Sequence, residues 1–339
     1  MVEGTEGSHH KEGSTKMAKR TTICAGIDTG KRKLDVALDG SLEQLQVENT
    51  SEGHKALLDW LRFHRVKRIG IEASGGYEQA VVAELRRRRF VVVVFQPAQV
   101  RAYAKFHLQR AKNDKIDAAL IAACTAAVKK IHAAPDPRLL PFAEQLTMID
   151  QIGEDIARLK NRLETCRNPR IREIWKEDIA RLAKCERSER KALVAAIRQH
   201  PDLAQRLDLI ISINGIGLPT AVALLVRMPE LGRITREQAA ALAGLAPYDD
   251  DSGDQIGVRH IDGGRERLRR SLYTAALPAS FRWNPHLIAL YQRLMAKGKE
   301  HKRALIACAR KLLIFANAVV ARGTPWQSTS PATVALAKG

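Results

Sequence analysis

The strongest constraint on the fold is a series of short apolar segments between residues 21 and 131, separated by turns and helical stretches. Strands are predicted at 22–28, 34–38, 45–48, 68–72 and 90–95. The first three follow one another through turns at Gly30 and Asp39-Gly40, which predicts hairpins. The last is an uninterrupted apolar run, typical of a strand that is buried on both faces.

Helices fill the gaps between the later strands. They are predicted at 51–63, 77–88, after Pro97 and at 113–131. Hairpin strands followed by strand–helix alternation predict a mixed α/β sheet with helices on its faces. Within the second strand, Asp35 alternates with apolar residues, so we expect its side chain to be solvated.

Four carboxylates stand out in this region. Asp28 ends one strand in the tripeptide Gly-Ile-Asp, and Glu72 ends another in Gly-Ile-Glu. Asp114 and Asp117 lie three residues apart at a helix start and so share one helix face. Acids at strand ends and on a helix can converge on one edge of a sheet, where they repel one another unless cations neutralise them. Two Mg²⁺ ions about 3.5–4 Å apart would activate a nucleophile and stabilise the leaving oxygen of a phosphodiester.

Each acid also has a structural interpretation. Asp114 is a suitable N-cap, with Asp117 as its capping-box partner, and Asp28 is a suitable turn residue. Glu72 is the hardest to explain in this way, because an acid that ends an apolar strand beside a Gly-Gly turn is an unusual structural choice. Taken together, the four acids indicate an RNase H-like nuclease core.

The remaining chain reads as helical. Prolines at 135, 137 and 141 mark a boundary, after which apolar residues at a 3–4 spacing predict two helices interrupted at Asn168-Pro169. This pair is either a monomeric spacer or a coiled-coil dimerisation arm, and we favour the arm. Gly215 and Gly217 between two short helices match a helix–hairpin–helix, whose backbone N–H groups can bind a DNA phosphate. Three basic helices are predicted at 264–281, 286–297 and 301–321.

The charge distribution points to a polyanionic partner. The net charge is +19; residues 255–325 contribute +11 and residues 1–133 contribute +8. Nucleic acid is the polyanion that best fits two basic lobes around a neutral middle. Aromatic residues make up only 5%, so phosphate contacts should outweigh base stacking. No apolar run reaches the roughly 20 residues of a membrane span, and five scattered cysteines fit a reducing cytoplasm.

The sequence resembles the DEDD transposases, the "one-ten" insertion-sequence family, and within it the "eleven-eleven" subgroup; Piv-like DNA invertases are related. The N-terminal matches are Gly-Ile-Asp28, Ile-Glu72-Ala-Ser-Gly-Gly and Lys-Asn-Asp114-Lys-Ile-Asp117-Ala. The C-terminal matches are Gly215-Ile216-Gly217, Leu245-Ala246-Pro247-Tyr248, Asp251-Ser252-Gly253, Arg259-His260 and the run from Gly263 to Arg270. The resemblance covers about residues 20–325.

The resemblance implies a fold for each part of the chain. An α/β RNase H-like (RuvC-like) domain at 21–134 is followed by a coiled-coil helical hairpin at 135–205. A mainly α-helical C-terminal transposase domain with a helix–hairpin–helix-like motif occupies 206–325. Residues 1–20 are expected to be a flexible extension and residues 326–339 a tail.

The resemblance also implies a mechanism. Asp28, Glu72, Asp114 and Asp117 would bind Mg²⁺, with Mn²⁺ as the alternative, and Ser252 would attack DNA to form a covalent phosphoserine. A free serine hydroxyl is a poor nucleophile and needs activation by a base or a metal. Tyr248 is a rival nucleophile, ranked below Ser252 because the sequence shows no Arg/His constellation of the tyrosine recombinases.

Related systems are guided by a structured bridge RNA that pairs with target and donor DNA, so the protein reads backbone and shape. The residues predicted to contact nucleic acid are Gly215, Gly217, Arg259, His260, Arg265, Arg267, Arg269 and Arg270. The family implies a homo-oligomer, from dimer to tetramer, with composite active sites. It also implies a bacterial cytoplasmic location, at the nucleoid when the protein acts.

Two other functions remain open. A RuvC-like, metal-dependent endonuclease that cuts branched DNA with water would share the fold without needing Ser252. A non-catalytic nucleic-acid-binding protein would also keep the fold, although retention of all four acids argues against it.

Overall fold

A computed structural model describes residues 22–108, 114–129, 131, 134–248, 260–261 and 263–327. Of residues 114–116, 248 and 260 it describes the backbone alone. The chain divides into two compact units, Met1–Ala134 and Pro135–Gly339.

The N-terminal unit is built on a five-stranded sheet in the order β3-β2-β1-β4-β5. Its strands are β1 (Cys24–Thr29), β2 (Lys33–Leu38), β3 (Gln44–Glu48), β4 (Arg68–Glu72) and β5 (Val91–Phe95). Antiparallel pairing joins β1 to β2 and β2 to β3, whereas β4 runs parallel to both β1 and β5. A three-stranded meander continued by parallel strands is the RNase H-like topology, which confirms the predicted mixed sheet.

Helices cover both faces of the sheet. They are α1 (Ser51–Phe63), α2 (Gln79–Arg87), α3 (Pro97–Phe106) and α4 (Asp114–Ala127). Strand alternation turns Ala25 and Ile27 towards a core shared with Leu57 and Leu61 of α1. The opposite face, which carries Gly26, receives α4.

The prediction that the run 90–95 is buried on both faces is wrong. β5 is an edge strand of the five-stranded sheet, and Val91 and Val94 are exposed by 42% and 36%. Only Val92 and Phe95 are buried. An apolar run reports the propensity for a strand, whereas burial of both faces depends on where the strand lies in the sheet.

The C-terminal unit is helical. Its helices are α5 (Leu139–Thr165), α6 (Pro169–Arg198), α7 (Pro201–Ile211), α8 (Leu218–Arg227), α9 (Arg236–Leu242), α10 (Glu266–Pro278), α11 (Pro285–Ala296) and α12 (His301–Arg322). A π-helical turn, Ala279–Trp283, joins α10 to α11. The predicted pair of long helices is confirmed, with Asn168 capping α6 through its side chain.

The base of the long hairpin shares the core of this unit. Leu146 and Ile149 of α5 and Leu193 and Ile197 of α6 belong to one buried cluster with α7, α8, α10 and α12. The base of the hairpin is therefore part of the helical core. The coiled-coil character of the hairpin remains a prediction.

The helix α12 is long and apolar enough, by length and composition, to cross a membrane, and it is the only such helix among the described residues. Nine of its residues are buried, and it contacts α7, α9, α10 and α11. A central core helix meets the same criterion, so the feature reflects packing within this unit.

Candidate active site

The C-terminal ends of β1 and β4 place two of the four acids side by side. Ile27 and Ile71 are register partners in this parallel pair, and Asp28 and Glu72 are the next residues on each strand. Both side chains are half-buried and, by alternation, lie on the sheet face that carries Gly26 and Gly70.

Helix α4 packs on this same face in backbone contact with the sheet. A Cβ atom on Gly26 would lie 2.2 Å from the carbonyl oxygen of Ala118, and one on Gly70 would lie 1.8 Å from Oγ1 of Thr125. Arg68, the first residue of β4, donates to the carbonyl oxygens of Thr125 at 3.3 Å and Val128 at 3.0 Å. The helix therefore runs antiparallel to β4.

This direction determines where the helix acids lie. The C-terminal end of α4 lies at the start of β4, so its first turn lies towards the C-terminal ends of β1 and β4. Asp114 begins the helix and Asp117 directly precedes Ala118, which contacts Gly26. The backbone thus brings all four predicted acids to one edge of the sheet.

The donor chemistry of this edge suits a hard divalent cation, which prefers carboxylate oxygens. Within the described residues, no three His, Cys, Asp or Glu side chains form a metal-ligand group. The side chain of Asp114 lies outside that part of the structure, so the full set of four remains a prediction. Asp28, Glu72, Asp114 and Asp117 are the residues that would hold the ion.

A hydrogen-bonded turn fixes the chain directly after Glu72. The Glu78 carboxylate accepts from the backbone N–H of Ser74 at 3.0 Å and of Gly76 at 2.9 Å, and from the Ser74 hydroxyl at 3.2 Å. Burial opposes ionisation, but these hydrogen bonds outweigh it and lower the pKa of Glu78. Gly75 and Gly76 have φ angles of +74° and +113°, which explains the Gly-Gly pair.

The expectation that Asp35 is solvated is wrong. Asp35 is 5% exposed and is the antiparallel register partner of Asp28, so the two carboxylates share a face. Its Oδ1 accepts from Nε2 of Gln46 at 2.6 Å, and its Oδ2 lies 3.2 Å from Nζ of Lys33. Alternation correctly places Asp35 on the face opposite Leu34 and Val36, but α4 contacts β2 and covers that face, so all of Leu34 to Leu38 is buried.

Sequence reasoning missed the role of Gly26, Gly70 and Asp35 in building this edge. A signal was present for the glycines, since each lies two residues before an acid in the repeated tripeptides Gly-Ile-Asp and Gly-Ile-Glu. A small residue on the face of the acids is what allows a helix to approach closely.

The proposed nucleophile Ser252 and the predicted contact Arg259 lie outside the described residues. The backbone on either side is described: β6 (Pro247–Tyr248) pairs antiparallel with β7 (His260–Ile261). Tyr248 and His260 are register partners, so the chain segment that contains Ser252 starts and ends at one two-stranded ladder.

The glycine turn between α7 and α8 is present as predicted. Gly215 has a φ of +97°, and a Cβ there would lie 2.4 Å from Cβ of Ala279. Gly217 is the N-cap of α8 and is exposed. Gly215 therefore packs the turn against the π-helical segment, whereas the open helix N-terminus lies at Gly217; a phosphate contact there remains a prediction.

The predicted arginines of α10 have partners within the unit. Arg265 forms a two-bond pair with Glu230, at 2.6 and 2.8 Å, and Arg267 donates to Asp150 at 3.4 Å. Arg269 donates to the carbonyl oxygen of Gly263 at 2.6 Å. Arg270 bonds Glu154 at 3.0 Å yet keeps a side chain that is 58% exposed. Of the three with carboxylate partners, Arg270 is thus the most accessible to phosphate.

The mixed sheet, with Asp28 and Glu72 at the ends of two parallel strands, has the RNase H-like topology. Residues 25–166 match the DEDD_Tnp_IS110 transposase family, and residues 207–292 match the transposase IS116/IS110/IS902 family. The chain belongs to the IS110 family of transposases.

Several individual proteins are similar to this chain. The pilin gene-inverting protein of Moraxella bovis is 26% identical over 325 residues, covering 89% of this chain and 96% of the relative. The 43.6 kDa protein of insertion element IS110 from Streptomyces coelicolor is 33% identical over 151 residues, covering 44% and 37%. The RuvC structure of Thermus thermophilus aligns with 33% of this chain and 83% of that chain at 20% identity, with a TM-score of 0.23.

Proposed function

We propose that this transposase cuts and rejoins DNA through a covalent phosphoserine at Ser252, with its targets chosen by a guide RNA. The observation that carries the proposal is the convergence of Asp28, Glu72 and the first turn of α4 at one edge of the sheet. Divalent cations, Mg²⁺ or Mn²⁺, would supply Lewis-acid activation there.

The chemical step conserves the energy of the phosphodiester bond. The Ser252 oxygen bonds to phosphorus, and the bond from phosphorus to one deoxyribose oxygen breaks. The serine proton ends on that leaving oxygen, which becomes a free hydroxyl. In the reverse step a hydroxyl of another strand attacks the phosphoserine, restores the serine and joins the new strands.

The proposed mechanism uses residues from different parts of the chain. The acids belong to the N-terminal unit, whereas Ser252 belongs to the C-terminal unit. We propose that the long hairpin of α5 and α6 assembles the homo-oligomer, a dimer or tetramer that completes such sites. Its distal part exposes Ile171 by 39% and Ile174 by 49%, which supports an apolar contact between copies.

Guidance by a bridge RNA fits the charge of the chain. A net charge of +19 with few aromatic residues favours binding to phosphate backbones over base readout. Base pairing by the RNA would then select donor and target DNA. The site of action is the bacterial cytoplasm, at the nucleoid.

The decisive experiment uses the full-length protein, Mg²⁺, the RNA encoded beside its gene, and matching donor and target DNA. We expect a protein–DNA adduct that resists denaturant and is lost in Ser252→Ala and in Asp114→Ala. Ser188→Ala is the matched control, because Ser188 is exposed on α6, and it should form the adduct normally.

Each outcome is informative. If Ser252→Ala still cleaves DNA and no adduct forms, the serine mechanism is wrong. The protein would then be a RuvC-like endonuclease that cuts branched DNA with water. Adduct formation that is unchanged when the RNA is omitted would refute guidance and require the protein to read DNA itself.

A further inference from the structure

We propose that a groove in the C-terminal unit binds an unpaired nucleotide of single-stranded nucleic acid. The groove is formed by α11, α12 and the segment 324–327 that follows α12. It consists of two cavities of about 460 and 390 Å³ that share His286 and Lys311 as lining residues. Such volumes fall in the range of about 300–1,000 Å³ that small-ligand sites occupy.

Aromatic rings gather at one end of this groove. The rings of Phe315 and Trp326 have centroids 4.4 Å apart at an angle of 47°. His286 lies 5.8 Å from Trp326 and 6.0 Å from Phe315. In a chain with only 5% aromatic residues, such a cluster is a local concentration of stacking surface. A nucleobase stacks on rings of this kind whatever its identity.

Cations line both cavities of the groove. Lys311 places its Nζ 5.1 Å from the centroid of Phe315, and Arg293 and Arg322 line the two cavities. Among the lining residues described, neither cavity contains a carboxylate. Residues 285–327 hold eight Lys or Arg and one Glu, so this part of the chain attracts anions.

The arginines at the start of α10 differ from the cations of the groove. Arg265, Arg267 and Arg270 are paired with carboxylates of their own unit. Lys311, Arg293 and Arg322 form no ion pair within the described residues. A cation without a carboxylate partner binds a phosphate at a lower cost in free energy, because no ion pair within the protein must be broken first.

Trp326 is held in place by a hydrogen bond to the end of α7. Its backbone N–H donates to the Ser212 hydroxyl at 2.8 Å, which ties the segment after α12 to the end of α7. Its indole Nε1 is buried and has no acceptor in the described part of the chain. The groove thus combines a stacking platform with cations that form no ion pair within the described residues, and both elements serve the recognition of an unpaired nucleotide.

This inference does not depend on the serine chemistry and rests on the proposed function only in that the chain acts on nucleic acid. The test is therefore made without divalent metal and in the Ser252→Ala background, by fluorescence anisotropy with labelled 12-nucleotide oligouridylate and oligothymidylate. The adduct is assayed separately, with the parent protein and Mg²⁺. If the parent forms no adduct while oligonucleotide binding depends on Trp326, the serine mechanism alone fails. If the parent forms the adduct while oligonucleotide binding does not depend on Trp326, this inference alone fails.

We expect Trp326→Ala to weaken binding at least about 5-fold, from the loss of one stacking contact. Trp326→Phe should restore most of that loss. Lys311→Gln should lower the slope of log affinity against log salt by about 0.7, as for one phosphate contact on a single strand. The two oligonucleotides reveal whether the strand is RNA, DNA or either.

Matched controls lie in the same unit. Trp283 is 57% exposed on the π-helical turn, and Lys302 is exposed in the first turn of α12. Trp283→Ala and Lys302→Gln should leave affinity within about 2-fold, well short of one stacking contact. The inference is overturned if folded Trp326→Ala binds as well as its parent, or if Trp283→Ala loses as much. Should Trp326→Ala fail to fold, photocrosslinking of 4-thiouridine oligonucleotides to the parent decides, since the inference requires a crosslink at Phe315 or Trp326.

Discussion

Gly26 of β1 and Ala118 of α4 lie in direct backbone contact: a Cβ on Gly26 would lie 2.2 Å from the Ala118 carbonyl oxygen and 2.2 Å from the Ala122 nitrogen. Gly26→Ala must therefore push α4 away from the sheet, together with Asp114 and Asp117. We expect the free energy of unfolding of the N-terminal unit to fall by about 1–3 kcal/mol. Adduct formation should fall further than stability, because the helix acids move relative to Asp28.

Gly153 provides the matched control for this substitution. It lies within α5, and the nearest atom to an added Cβ is the Glu186 side-chain oxygen at 4.0 Å. Gly153→Ala should stabilise its helix by up to about 1 kcal/mol and leave adduct formation unchanged. Equal behaviour of both variants in urea unfolding and adduct assays would refute the backbone-contact argument.

The sequence predicted most of what local chemistry controls. Helix α1 ends at the predicted residue and begins within one residue of its prediction: Ser51 was expected to be the cap, whereas the cap is Thr50, whose side chain accepts from the backbone N–H of Gly53. The three-stranded meander was predicted because turn residues separate its short apolar segments. Long-range placement was not: the edge position of β5 and the burial of Asp35 depend on which strands pair, and one strand alone does not encode its neighbours.

The sequence predicted the acids of the candidate site but not how the fold brings them together. Their positions at strand ends and at a helix start pointed to Asp28, Glu72, Asp114 and Asp117, and the topology brings their backbones to one edge. The direction of α4 was not predictable from those residues, because it depends on contacts of Gly26 and Gly70 with a helix some fifty to ninety residues away in sequence. The groove around Trp326 also escaped sequence analysis, since its rings come from separate elements.

Substitution of Asp35 tests whether this acid only stabilises the sheet or also binds the metal ion. Asp35→Asn keeps the shape of the side chain but removes its ion pair with Lys33 and turns its charged hydrogen bond with Gln46 into a neutral one. The free energy of unfolding should therefore fall by about 1 kcal/mol. The adduct should persist at saturating Mg²⁺, whereas Asp28→Asn should abolish it. Asp59→Asn, at an exposed pair with Arg62, is the control for stability and should change it by less than about 0.5 kcal/mol. Loss of the adduct in Asp35→Asn would make Asp35 part of the metal site.

The arginines of α10 should divide into structural and binding residues. Arg265→Gln removes two hydrogen bonds to Glu230 and one to the Arg227 carbonyl oxygen, and should destabilise the C-terminal unit by about 1.5 kcal/mol. Arg270→Gln removes a pair that is more exposed and should cost less than about 1 kcal/mol. In duplex binding, Arg270→Gln should lower the salt slope by about 0.9, as for one phosphate. An unchanged slope would remove Arg270 from the DNA-contacting set.

His54 should make the N-terminal unit sensitive to mild acid. Burial lowers the pKa of His54 below its ordinary value of about 6.5, and the charge of Glu84 only partly offsets this. Its Nε2 lies 2.8 Å from Oδ1 of Asn49. The Asn49 amide in turn donates to the carbonyl oxygens of Gly30 and Tyr77, at 3.1 Å each. This network joins the turn after Asp28 to the loop after Glu72.

The sign of the effect follows from proton linkage. Below pH 6.5 the unfolded chain binds a proton at His54 that the folded chain still excludes, so stability is complete above that pH and falls as the pH approaches the lower folded pKa. The loss cannot exceed about 1.4 kcal/mol per pH unit for one group. Urea unfolding of the parent and of His54→Gln at pH 7.5 and 5.5 measures it, and the parent should lose more stability than the variant. Equal losses would mean that His54 does not control the acid response of this network.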